Sequence, residues 1–276
     1  MRAAEAVRSG AAYLERHGVD SPTAEAETLL MRVLGTTRAG LYARGEDLDL
    51  HAARRFGRLL RRRGTGVPLH HVTGEQQFFD LTLAVAPGVF VPRPETEVVA
   101  LAALETLEGR TKPLVIDVGT GTGILAITIA HRRPDATVIA TDVSPEAVAL
   151  AHSNAERLGV HIDVLEGDLL DAVPGELRGS VDLIASNPPY VTEPEYASLS
   201  PDVLADPRIA LVGGTELHAR LADAATAWLA QGGWLVVEIG ATQGDEVREM
   251  FEWTLTDVEA LPDLAGRDRV VRGRRP

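Results

Sequence analysis

Cysteine is absent from all 276 residues, which excludes disulfides, thiolate zinc sites and cysteine nucleophiles and suits a reducing compartment. Also missing is any run approaching the roughly 20 apolar residues that a membrane helix needs. The opening Met1-Arg2-Ala3-Ala4-Glu5-Ala6-Val7-Arg8 carries charges where a secretory signal places its apolar stretch. The expectation is a soluble, unprocessed, cytoplasmic chain with no membrane association. Basic charge is in short supply too: 27 Lys and Arg against 40 Asp and Glu leave a formal net charge of -13. That charge repels polyphosphate at long range, so no stable nucleic-acid complex is expected and a protein or small-molecule substrate is favoured. No internal repeat or low-complexity segment is present.

What remains is ordinary globular composition, 45% hydrophobic and 24% charged, in a chain longer than one typical domain. Residues 1–66 read as helical. Val7, Ala11 and Leu14 recur at helical spacing before Gly18, and Ser21 and Pro22 open a second helix whose stripe is Leu29, Leu30, Val33 and Leu34, ended by Gly35. A later helix near 52–63 carries Arg54, Arg55, Arg58, Arg61, Arg62 and Arg63, with Phe56, Leu59 and Leu60 pointing inward. These arginines are either a solvated face or a docking face for RNA or an acidic partner. From Phe78 to Val85, then Pro87-Gly88, then Val89-Phe90-Val91, the pattern is that of a β-hairpin. The expected organisation is a helical domain over 1–73, a hairpin linker over 74–93 and a third region over 94–276.

In that third region apolar runs at 114–118, 137–141, 161–165, 181–185 and 234–239 alternate with helical stretches, such as the one opened by Ser144 and Pro145. Alternation of this kind predicts an α/β, Rossmann-like fold with a parallel, doubly wound sheet.

The first run ends in a glycine-rich turn, Asp117-Val118-Gly119-Thr120-Gly121-Thr122-Gly123, placed where such sheets bind ligands. The turn alone is ambiguous. Gly121 to Ala126 also satisfies the G-x-G-x-x-A dinucleotide fingerprint, and Asp142, ending the next strand, can bond a ribose hydroxyl in either a nicotinamide dinucleotide or S-adenosyl-L-methionine. Asp117, a charge inside a strand, is expected to accept hydrogen bonds from the turn or from a cofactor ammonium. Asp168 either faces an adenine amino group or is an ordinary exposed loop acid. His70 and His71 lack ligand-spaced companions, so no metal site is expected.

Directly after the 181–185 strand comes Ser186-Asn187-Pro188-Pro189-Tyr190. Two prolines remove two backbone donors and stiffen the chain, while the Asn187 side-chain carbonyl and the Pro188 backbone carbonyl can together accept both hydrogens of an NH2 group, with Tyr190 placed to stack on its plane. Taken alone, the run is also what a strand-ending turn looks like. Beside the glycine turn, it points to methylation of a planar amide or amine nitrogen, for which a hydride-transferring oxidoreductase has no use.

Asn187-Pro188-Pro189-Tyr190 with Gly119-Thr120-Gly121-Thr122-Gly123 resembles the amino-methyltransferases. Four more segments narrow the resemblance, over nearly the whole chain, to the release factor glutamine methyltransferases (the HemK/PrmC family): 68–74 (PLHHVTG), 91–97 (VPRPETE), 206–211 (DPRIAL) and 263–271 (DLAGRDRVV). The resemblance implies a helical substrate-docking domain, a hairpin and an S-adenosylmethionine-dependent methyltransferase domain. It also implies that Asp117, the 119–123 turn, Asp142, Asp168, Leu169 and Asn187 bind the cofactor and that Asn187, Pro188, Pro189 and Tyr190 act on the substrate. The implied substrate is the glutamine of the Gly-Gly-Gln motif in peptide chain release factors, methylated at N5; a monomer is the separate expectation for its assembly. Leu169 departs from the tryptophan that often flanks adenine in this family. Alternatives are adenine-N6 methylation of DNA or RNA, a non-catalytic cofactor-binding partner protein and a nicotinamide oxidoreductase.

Overall fold

The computed structural model describes residues 2–43 and 47–276, so the helical pattern at Met1 and 44–46 lies outside the described residues. Two compact units emerge: Met1–Glu75 with Pro201–Ala205, and Gln76–Ser200 with Asp206–Pro276. Among the described residues no helix is long and apolar enough to cross a membrane.

The first unit contains α1 (Ala3–Glu15), α2 (Pro22–Leu34), α3 (Arg38–Ala43), α4 (Leu50–Gly64) and α5 (Leu69–Thr73). Pro22 sits in the first turn of α2 and Gly35 stops it at φ 61°, a left-handed conformation that glycine adopts at no steric cost. Ser21 makes no side-chain capping bond there, whereas Asp49 caps α4 by accepting from the Ala52 amide at 2.7 Å. Val7, Leu14, Leu29, Leu30, Val33, Phe56 and Leu60 meet in one core, while Leu34, at the end of the expected stripe, is 38% exposed. Gly10 is what lets α1 approach α4, because a Cβ there would lie 2.8 Å from the Phe56 ring.

Of the arginines on α4, Arg63 is buried. It donates to both oxygens of Glu25 (2.6 and 3.3 Å) and to Asp202, which the segment 201–205 contributes to this unit (3.1 Å). Arg54, Arg58, Arg61 and Arg62 are exposed. The basic run is thus a solvent-facing set plus one buried arginine paired to two carboxylates.

The second unit runs β1 (Glu75–Phe78), β2 (Leu81–Ala84), α6 (Thr96–Thr106), β3 (Leu114–Val118), α7 (Ile124–Arg132), β4 (Thr137–Asp142), α8 (Pro145–Leu158), β5 (Asp163–Glu166), β6 (Val181–Ser186), α9 (Glu193–Tyr196), α10 (Glu216–Trp228), β7 (Leu229–Glu238), α11 (Gly244–Glu252), β8 (Thr256–Pro262) and β9 (Asp268–Arg274), its compact body beginning at Gln76. The hairpin is real, but its turn is not at Pro87-Gly88. It is at Phe79-Asp80, with Phe79 at φ 49°, and β1 pairs β2. Residues 89–91 form no strand: Gly88, at φ 87°, closes a local turn, and the Val91 amide is taken by the Asp206 carboxylate (3.3 Å) instead of a ladder partner.

The seven-stranded sheet has the order β5-β4-β3-β6-β7-β9-β8. The five strands expected from the apolar runs pair in parallel; β9 and β8 add two antiparallel strands, correcting the expectation of an all-parallel sheet. Alternate residues of β3 face opposite layers. Val115 joins the core with α6 and α7, whereas Ile116 and Val118 join that with α10 and α11, as a two-residue side-chain period requires. Burial of each such side chain contributes about 1.5–3 kcal/mol. The chain moves outward from β3 through β4 to β5, then resumes on the other side at β6. The crevice for a ligand therefore opens at the carboxyl ends of β3 and β6.

Candidate active site

At the end of β3 the glycine turn is built by backbone geometry. Gly119, Gly121 and Gly123 have φ of 70°, 57° and 86°, a region that strains any residue with a Cβ. Around Gly119 and Gly121 a Cβ would meet nothing within 4 Å, so the turn presents open space; at Gly123 it would lie 2.9 Å from Ile127 and 3.1 Å from Ala151. Asn154, fully buried on α8, holds the turn from behind: its Nδ2 donates to the Thr122 and Ala84 carbonyls (both 3.0 Å), and its Oδ1 accepts from the Ala84 amide (2.8 Å). Hairpin and turn are thereby locked together.

Asp117 is 1% exposed and accepts, at one oxygen, the Thr120 hydroxyl (2.6 Å) and the Ala126 amide (3.1 Å). Burial pushes its carboxyl up to about 6, opposed by those two hydrogen bonds and aided by the Asp142 charge. Asp142 accepts from the Gly121 amide (2.8 Å) and the Ser144 amide (2.9 Å), fixing the turn against the end of β4, while Ser144 caps α8 through Ala147 (3.2 Å). Asp168 is exposed and paired to Arg220 (2.6 Å). Leu169 stands at φ 48°, its carbonyl held by the Thr141 hydroxyl at 2.7 Å.

On the neighbouring strand, the Ser186 hydroxyl donates to the Val118 carbonyl (2.7 Å), registering β6 against β3 just before the proline run. Asn187 Nδ2 donates to the Thr96 hydroxyl at 3.2 Å. Tyr190 turns its hydroxyl onto Glu238 Oε1 (3.2 Å), and its carbonyl accepts from Gln243 Nε2 (2.9 Å). Burial and then the Glu238 charge raise the Tyr190 hydroxyl far above its ordinary value. Gly213 backs the run so closely that a Cβ would sit 2.3 Å from the Pro189 carbonyl oxygen.

These two constructions share one cavity of about 480 Å³. Asp117, Gly119, Thr120, Gly121, Thr122, Asp142, Asp168, Leu169, Asn187, Pro188 and Pro189 all line it, with Phe90, Leu125, Val143 and Ile209 as apolar wall; Gly123 and Tyr190 do not. Sequence reasoning missed Thr96, Glu238, Asn154 and Gln243, although Thr96 lies inside the VPRPETE segment. That segment is a set of ties: Arg93 pairs with Asp206, Thr96 holds Asn187, and Glu97 accepts from the Phe79 amide at the hairpin turn (2.8 Å).

A cofactor of the size and polarity of S-adenosylmethionine fits this cavity's residues. Thr122, one of its lining residues, has a buried hydroxyl with no partner among the described residues, and the Gly119–Gly121 cradle is space that a Cβ would fill.

The family described as Methyltransferase small domain matches residues 80–259, and that described as PrmC N-terminal domain matches 5–74. The chain is 40% identical to the release factor glutamine methyltransferase of Moorella thermoacetica over 96% of this chain and 94% of that one. With the enzyme of the same name from Deinococcus radiodurans, identity is 39% over 100% and 99%. The chain belongs to the release factor glutamine methyltransferase family. Members are S-adenosylmethionine-dependent enzymes. At the level of fold, the T. thermophilus 16S rRNA N2 G1207 methyltransferase, solved with AdoMet and guanosine, superposes with a TM-score of 0.55 at 20% identity, covering 73% of this chain and 50% of that one. The hMettl16 catalytic domain, solved with an RNA hairpin, does so with a TM-score of 0.57 at 13% identity, covering 82% and 86%.

Proposed function

We propose that this enzyme methylates the side-chain amide N5 of the glutamine in the Gly-Gly-Gln motif of peptide chain release factors. The observation that carries the reading is that Asn187, Pro188 and Pro189 line the same cavity as the glycine cradle, with Asn187 Nδ2 already engaged by Thr96. Its side-chain carbonyl is then left to accept one substrate N–H and the Pro188 carbonyl the other.

When bound, S-adenosylmethionine supplies a sulfonium-activated methyl group. An amide nitrogen is a poor nucleophile because its lone pair is delocalised into the carbonyl. Two fixed acceptors on its hydrogens orient the nitrogen, and their dipoles stabilise the positive charge that develops there. The methylated nitrogen is strongly acidic and sheds one of its two protons to water, so a strong base is not needed. Asp117 and Asp142 hold the turn, and their remaining lone pairs suit the ammonium and ribose hydroxyls of the cofactor. On this reading the enzyme works in the cytoplasm, as a monomer, on a soluble protein.

The test is incubation of a purified release factor with enzyme and labelled S-adenosylmethionine, followed by mass spectrometry of the Gly-Gly-Gln peptide. One added methyl group on that glutamine is expected. Label transferred to adenine in DNA or RNA, with none on the factor, would overturn the reading in favour of an adenine-N6 methyltransferase, for which the exposed arginines of α4 are the observation in hand.

A further inference from the structure

We propose that Glu238 and Thr96 are positioning residues that decide which way the Asn187 amide faces. The inference rests on the reading that Asn187 receives the substrate amino group.

Glu238 ends β7. Because Ser186 pairs with Val237 in the ladder, Glu238 lies beside Asn187 at the carboxyl edge of the sheet. It is 1% exposed, and among the described residues it makes no ion pair: Arg269, the nearby cation, is committed to Asp263 (3.3 Å) and to the Ile239 carbonyl (3.2 Å). One carboxylate oxygen, Oε2, is buried without a partner. Such a group is a burden on the fold. What it does have is the Tyr190 hydroxyl at 3.2 Å, with the Thr96 hydroxyl near enough to draw its carboxyl down, and both belong to the acceptor loop or touch it.

The direction of these bonds carries the argument. Thr96 accepts from Asn187 Nδ2, and a carboxylate only accepts, so we assign the single Thr96 proton to the neighbouring Glu238, which leaves the Thr96 oxygen to accept from Asn187. Asn187 therefore turns Nδ2 inward, as observed at 3.2 Å, and leaves Oδ1 for the substrate. Were the Thr96 proton uncommitted, it could be donated to Asn187 Oδ1. The amide would flip and set its own NH2 against the substrate NH2, donor against donor. Tyr190 fixes the far end of the same four-residue run onto the same carboxylate, so both ends of the loop converge on Glu238.

Burial pushes the Glu238 carboxyl up to about 7, opposed by the Thr96 bond, the Arg269 charge and the Tyr190 bond and aided by the Glu95 charge. The remaining neighbour, His218 on α10, bonds the Glu238 backbone carbonyl and is held below its ordinary value by burial. Methyl transfer should thus need the ionised form and fade as pH falls through about 7.

The experiment compares Thr96→Val, Thr96→Ser and Glu238→Gln in the full-length enzyme. By NMR of the substrate-free protein, the Asn187 Nδ2 protons exchange slowly in the parent and in Thr96→Ser and quickly in Thr96→Val. With release factor as substrate, Thr96→Val and Glu238→Gln lower kcat by about a hundredfold, as misplacing one charge-stabilising group does. Cofactor Kd stays near the parent's, Thr96→Ser recovers most of the rate, and the pH limb near 7 disappears in Glu238→Gln while that of Asp117, near 6, persists. The proposal is overturned if Thr96→Val keeps the parent's kcat and amide exchange, if Thr96→Ser is as impaired as Thr96→Val, or if Glu238→Gln loses cofactor binding and thermal stability in step with rate. A parent that fails to methylate the factor, yet shows the expected exchange pattern, would sink the functional reading and leave the positioning pair standing.

Discussion

Asp117 and Glu238 make an instructive pair: two carboxylates, each 1% exposed, each at or next to the carboxyl end of a strand in the same sheet. Asp117 is satisfied within its own turn, by a hydroxyl three residues on and an amide nine residues on. Its burial serves the architecture of the glycine cradle. Among the described residues Glu238 receives no backbone N–H bond, and the hydroxyls beside it, Tyr190 at 3.2 Å and Thr96, come from residues that flank Asn187 or hold it. The Asp117 carboxylate is thus satisfied over about ten residues, in a turn that Asp142 and Asn154 brace from the next strand and helix, whereas the acceptor run depends on partners from more distant parts of the chain. Disturbing the first should change cofactor binding, and disturbing the second should change the rate.

The largest effect expected from that division is at Asn187. Asn187→Ala removes an acceptor that the reacting NH2 needs and should lower kcat by about 10²- to 10³-fold, with cofactor affinity near the parent's by calorimetry. If affinity and rate fell together, the two halves would not be separable. Next come the paired neutralisations Asp117→Asn and Glu238→Gln. Both carboxyls are raised on folding, from 3.8 to about 6 and from 4.5 to about 7, so each ionised form costs stability above its folded pKa and nothing below its unfolded one. Each variant should therefore gain stability at pH 8, by up to about 3 kcal/mol at 1.36 kcal/mol per pKa unit, and the gain should vanish as pH falls toward 4. Their functional losses should cross: weaker cofactor binding for Asp117→Asn, slower transfer for Glu238→Gln. Denaturant unfolding at pH 8 and pH 4.5 beside calorimetry and kinetics reads all of this.

The same division explains what could be read before the fold was known. The glycine turn, Asp142 and the 187–190 run are local patterns whose chemistry is written in adjacent residues, and all but Gly123 and Tyr190 line the cavity. Thr96 is 91 residues from the Asn187 it holds and Asn154 is 70 from Ala84, separations that no periodicity signals. Tyr190 was legible as an aromatic beside the site, but the direction of its hydroxyl depends on Glu238, a residue of another strand. Pro87-Gly88 is a stronger turn signal than Phe79-Asp80, yet the hairpin turns at the latter, because Glu97 takes the Phe79 amide and Asp206 takes the Val91 amide. The strands β8 and β9 went unread because neither carries a continuous apolar run: Asp257 and Glu259 interrupt β8 at the sheet edge, and arginines and a glycine flank Val270 and Val271 in β9.

Two glycines sharpen the comparison at smaller magnitude. Gly123→Ala places a Cβ at φ 86° and within 2.9 Å of Ile127, and Gly213→Ala places one 2.3 Å from the Pro189 carbonyl oxygen. Each should cost about 1–3 kcal/mol in unfolding free energy through strain and displaced packing. The first should raise cofactor Kd and leave kcat at saturating cofactor largely intact; the second should push the proline run out of place and lower kcat. Identical functional profiles would erase the distinction between the halves.

The smallest effect is expected at Leu169. It lines the cavity in a left-handed conformation, and its own backbone is fixed by the Thr141 hydroxyl. Since that hydrogen bond is to the Leu169 carbonyl, a new side chain there leaves the anchor intact. Leu169→Trp exchanges an aliphatic wall for an aromatic one, and aromatic contacts add about 0.5–1.5 kcal/mol beyond area burial. Cofactor affinity should rise by about a few-fold, with kcat unchanged. An unaltered Kd would mean that the purine lies away from Leu169, and the adenine end of the cavity would then have to be sought against Val143 and Leu125 instead.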